Sequence, residues 1–141
     1  MPKFDYNKYC LALLYDMVPE IYNLEEPLQA DFEWYSKDKS TFTAYNLYED
    51  ILCPYCISLI KKEDNHSLEI VKRIMILIES LIKHQDFQVQ CLAKVGFLEK
   101  LVHDLSPRKD LEKYLLHKSL EAARIIAKKM YGLNPYTWAP D

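Results

Sequence analysis

Only two of the 141 residues are glycine, Gly96 and Gly132. Average usage is roughly 7 %. Glycine takes positive φ without steric cost, and sheet-rich or loop-rich folds need it wherever the backbone turns sharply. A chain so poor in glycine is steered toward helices joined by short connections. Half of it is apolar and 28 % is charged, enough for a real core and too apolar for a disordered chain.

Periodicity supports the same reading. Tyr6, Tyr9, Cys10, Leu13, Leu14 and Met17 recur at helical spacing and predict a helix over residues 5–17, with Asp5 as its cap and Pro19 as its stop. A second helical stretch is expected from Pro27. Residues 41–63 read as helix, either kinked or broken at Pro54, which has no N–H to donate and crowds the preceding turn. Ser67 opens the most apolar helix, with Val71, Ile74, Met75, Ile78, Leu81 and Ile82 as its stripe. Ile70, Ile76 and Leu77 widen that stripe until little polar face remains, as in a central helix. Asp86 caps the next, with Val95, Leu98, Leu101 and Val102 inward. Ser106-Pro107 opens a long last helix to about Met130, and Gly132 ends it in the left-handed conformation. The tail, about residues 132–141, reads as irregular, with Trp138 folded back. No strand alternation occurs. The expectation is one all-α domain, residues 1–141, a bundle of about six helices.

No apolar run is long enough to span a bilayer. The N-terminal apolar stretch is interrupted by Tyr15 and Asp16 and lacks a small-residue cleavage site. A cytoplasmic protein without membrane contact is expected. Its four cysteines, Cys10, Cys53, Cys56 and Cys91, are too scattered for a disulfide framework.

Residues 53–56 spell Cys-Pro-Tyr-Cys, the glutaredoxin active-site tetrapeptide. Such a site uses a helix N-terminus to stabilise a thiolate. Here the approach, AYNLYEDIL, is helical and acidic rather than an apolar strand. The Thr-Val-Pro loop and glycine pair of that family are missing downstream. Cys53 and Cys56 also have zinc-ligand spacing, with His66, His84 or Cys91 as further donors, but no second knuckle completes a site. Thiols packed beside a proline-marked helix break explain the letters with fewer assumptions. No nucleophile elbow, phosphate loop or metalloprotease signature is present. The expectation is a protein without enzymatic activity, cofactor or metal.

The net charge of −3 hides an asymmetry. Residues 1–60 carry ten acids and four bases, while residues 61–141 carry eleven acids and fourteen bases. Eight of eleven tyrosines also precede residue 60. Direct nucleic-acid binding is disfavoured, because the basic clusters are short and lie where helix ends tolerate cations. Tyr and Trp anchor interfaces, and carboxylates around them draw in a basic partner. Asp31, Glu33, Trp34, Tyr35, Asp38, Tyr45, Tyr48, Glu49 and Asp50 combine both features and are the candidate partner-binding residues. The competing reading is that the tyrosines are core and the acids a solvated face.

SLEIVKRIMILIESLIKHQDFQVQCLAKVGFLEKLVHDL, residues 67–105, resembles a HEAT- or armadillo-type helix pair. An Asp-x-x-Val turn leads into a helix carrying VGFLEKL, similar to the glycine-containing joint of those repeats. No second copy follows at a fixed period, so a solenoid is not expected. The same block resembles a group of small all-helical bacterial proteins, some of them immunity proteins of contact-dependent growth inhibition. The resemblance implies a stoichiometric inhibitor that covers the active site of a toxin C-terminal domain, often a basic nuclease. Binding residues vary between members of that group, so none is carried over. A helical protein–protein adaptor is the alternative, and a thiol-redox or zinc protein built on Cys53 and Cys56 is a third.

Overall fold

The computed structural model describes residues 3–24 and 43–140. The helix expected from Pro27 lies outside these residues. Among the described residues there are six helices and no strand beyond an isolated bridge between Leu133 and Pro140. None of the helices is long and apolar enough to cross a membrane.

Helix α1 (Tyr6–Met17) starts where the Asp5 carboxylate accepts the Lys8 N–H at 3.1 Å. After it, Pro19–Asn23 forms a 3₁₀ turn. Arg73 ties this turn to the body: its guanidinium donates to the Met17 carbonyl at 2.9 Å and takes both oxygens of Glu20. A fork holding a carboxylate fixes direction as well as distance, and this bond with Arg73 holds the Glu20 carboxyl below its ordinary range.

Helix α2, residues 44–62, is continuous but not uniform. Ala44–Asn46 is α-helical, Leu47–Leu52 is a π-turn, and Cys53–Lys62 is α-helical again. The Cys53 N–H reaches the carbonyl of Tyr48, five residues back. The sequence offered a kink or a break at Pro54. The helix instead widens by one residue ahead of the proline, which accommodates a ring and a missing donor without ending it.

Helix α3 (Asn65–Ile82) packs on all five other helices. Its cap is Asp64, which accepts from Ser67 N at 2.7 Å, so the helix begins two residues before the expected start. Its stripe is buried as the periodicity predicts. The exceptions are Ile76, exposed on the outer face, and Ile82, half-buried.

Helix α4, residues 87–104, begins at the expected Asp86 cap and also contains a π-turn, Lys94–Leu98. Leu98, Leu101 and Val102 are buried as expected, but Val95 is 46 % exposed. The turn inserts a residue, so the phase of the second half does not run back to position 95. Arg108 closes the helix, donating to the carbonyls of Val102 at 2.6 Å and His103 at 3.3 Å.

The last helix is broken, contrary to the single helix expected from Ser106-Pro107. A 3₁₀ turn (Arg108–Asp110) leads into α5 (Leu111–Tyr114), and α6 (His117–Tyr131) starts after Leu115 and Leu116. Leu116 has no polar side chain to cap α6. The carboxylate of Glu79, on α3, does so from 39 and 40 residues away, accepting from Lys118 N at 3.0 Å and from Ser119 N and Oγ, each at 2.8 Å. Burial pushes the Glu79 carboxyl up, but these bonds outweigh it and the net shift is downward. Gly132 ends α6 at φ 63°, as expected. Trp138 folds back as expected, buried, its indole N–H donating to Glu112 at 3.1 Å.

Candidate functional site

The two π-turns pack against each other. Gly96, in the second, makes the approach possible. A Cβ there would lie 3.1 Å from Leu92 Cδ1 and 3.2 Å from Cδ1 of Tyr45, at the start of α2. The absent side chain leaves room for the Tyr45 ring, which meets Tyr6 edge-on with centroids 6.4 Å apart. Tyr45 is half-buried, and burial raises its phenol above the ordinary value.

Outside this contact lies a groove of about 400 Å³. Glu49 of the first π-turn forms one wall. Helix α4 contributes Val95, Glu99, Lys100, His103 and Asp104, and α6 contributes Tyr131. Three carboxylates thus face one lysine. Burial raises the Glu99 carboxyl above its ordinary range, and the nearby charge of Glu49 adds to that. Asp104 approaches His103 Nδ1 at 2.6 Å. Among the described residues, no cation pairs with Glu49 or Glu99. The His103 and Tyr131 rings lie 5.5 Å apart.

The candidate residues from the sequence divide into three sets. Asp31, Glu33, Trp34, Tyr35 and Asp38 lie outside the described residues. Glu49 is exposed and lines the groove, Tyr45 lies behind it on Gly96, and Asp50 is half-buried. Tyr48 is corrected: it is wholly buried, and its hydroxyl donates to the Cys10 carbonyl at 2.8 Å. It belongs to the core and offers no contact surface. Glu99, Asp104 and Tyr131 were not singled out from the sequence. Their one signal was Gly96 inside a helical pattern, which marks a close approach but not its partner.

The Cys-Pro-Tyr-Cys residues sit in the core. Cys10, Cys53 and Cys56 are buried free thiols, and Cys91 is half-buried. Burial pushes Cys10 and Cys56 up to about 12 and raises Cys53 well above its ordinary value. A redox cysteine needs the opposite shift, toward the thiolate. Among the described residues, no three His, Cys, Asp or Glu side chains converge as a metal cage requires.

These features define a small all-α domain with an open acidic groove across three helices. The family model that matches is described as Domain of unknown function (DUF7674); it covers residues 11–132, and the chain belongs to that family. No curated protein and no solved structure matches the chain.

Proposed function

We propose that the chain is a non-enzymatic binding protein whose acidic groove receives a basic surface of another protein. More specifically, we read it as a cytoplasmic immunity protein that neutralises a toxin domain, such as a nuclease, by covering its active site. The observation that carries the binding reading is the pairing of Glu49 and Glu99. Two helices bring these like charges to one groove, and neither has an ion-pair partner among the described residues, although Lys100 lines the same groove. A partner's Lys or Arg would relieve that repulsion, and Tyr131 and Val95 would give it apolar contact. The toxin assignment rests on the resemblance of residues 67–105.

The test is affinity capture from native cells with wild type and the double variant Glu49→Lys, Glu99→Lys. The expected result is one stoichiometric basic partner, released by salt and lost from the variant, whose thermal unfolding is unchanged. Equal capture by the variant removes the groove from the interface. Expressing the partner alone then separates the two protein-binding readings. Growth arrest relieved by this chain marks an immunity protein; a harmless partner marks an adaptor.

A further inference from the structure

The outer face of α6 carries a second, oppositely charged surface. Two concavities of about 190 and 240 Å³ meet there and share Glu121 and Ile125. Ile82, Ile125 and Ile126 line the first, and Pro135 and Tyr136 extend the second. Ile125 is 51 % exposed and Tyr136 66 %. Together they form one apolar trough in which each half is smaller than the roughly 300–1,000 Å³ of small-molecule pockets. That size suits the anchoring side chains of a peptide.

The rim sets the sign of the occupant. Lys94, Lys118, Arg124 and Lys128 border the trough, against Glu121. Lys118 and His117 each come within 3.9 Å of Glu121. Arg124 is held by Glu112 at 3.4 Å and lies over the Tyr136 ring at 5.1 Å. Lys94 and Lys128, one on each concavity, have no ion-pair partner among the described residues. An apolar floor between two unpaired cations matches a segment with apolar anchors flanked by acids. We propose that this trough docks an acidic amphipathic peptide segment of a partner protein, in the helix-in-groove manner. A nucleic-acid backbone fits less well, because the floor is apolar and a carboxylate stands in it. The trough and the acidic groove share no lining residue, so this surface stands or falls separately from the groove.

The test is selection from a displayed library of random peptides on the full chain, followed by titration of the enriched peptide. Enriched sequences should combine Leu, Ile or aromatic anchors with Asp and Glu. Ile125→Asp should weaken binding at least about tenfold, the loss of one hot spot. Lys94→Glu and Lys128→Glu should each weaken it and flatten its salt dependence, while Glu49→Lys leaves it unchanged. All four positions are exposed, and thermal unfolding checks each variant's fold. No enrichment, enriched peptides without acids, or binding that survives Ile125→Asp would overturn the proposal. So would an oligonucleotide that competes the peptide away and binds more tightly.

Discussion

The first π-turn carries Tyr48 into the core; the second carries Val95 out of it. Both turns wrap five residues where an α-helix wraps four, and each displaces the following phase by one residue, about 100°. In α2 the buried positions Ala44, Tyr48 and Ile51 give way to Leu52, Cys56 and Leu59, each one residue past the seven-residue continuation of the first half. In α4 Phe97 and Leu101 stand in the same relation to Val89 and Ala93. The origins of the two turns differ. The first has Pro54 just beyond it, within its own helix. The second has Gly96, whose purpose is visible only once Tyr45 is placed on it.

The sharpest way to break this comparison is to truncate one residue from each turn. Tyr48→Ala should cost about 3–5 kcal/mol, as large aromatic truncations in a core do. Val95→Ala should stay within about 0.5 kcal/mol, a surface value. Urea unfolding measures both, and similar losses would mean that the phase shift is misplaced. Gly96 tests the cause of the second turn. Gly96→Val should cost about 1–3 kcal/mol by overpacking against Tyr45 and Leu92. Gly96→Ala should be nearly neutral, since a gain in helix propensity of up to about 1 kcal/mol opposes the crowding. If Tyr45 is the obstacle, Tyr45→Ala should recover much of the loss in Gly96→Val, which a double-mutant cycle reads directly.

The contrast between local and distant causes also explains what could be read in advance. The all-α class, the Asp5 and Asp86 caps, the buried stripe of α3 and the αL end at Gly132 each depend on residues close in sequence, and each was legible there. The break before α6 was not, because nothing near Leu116 shows that Glu79 will cap the next turn. The groove was half legible. Glu49 stood out through its acidic, tyrosine-rich neighbourhood, but Glu99 and Asp104 sit in a stretch with ordinary charge. Composition also could not tell Tyr48 from a surface tyrosine, since aromatic side chains serve cores and interfaces alike.

The same contrast recurs in the helix N-termini. Helix α4 is capped from within its own sequence, with Asp86 accepting from Val89 N at 3.1 Å. Helix α6 depends on a carboxylate from α3. Glu79→Gln should therefore cost about 1 kcal/mol at neutral pH, a typical cap contribution. It should also alter the acid limb of stability. The folded Glu79 carboxyl lies below its ordinary value of 4.5. Its stabilisation is therefore fully present above that value and is lost as pH falls through the lower folded value. Wild type and variant should converge as the medium is acidified past that point, and unfolding midpoints from pH 7 to pH 2 would show it. Parallel curves across that range would mean that the Glu79 charge contributes nothing to the cap, and that α6 begins where it does because of the packing of Leu115 and Ser119 alone.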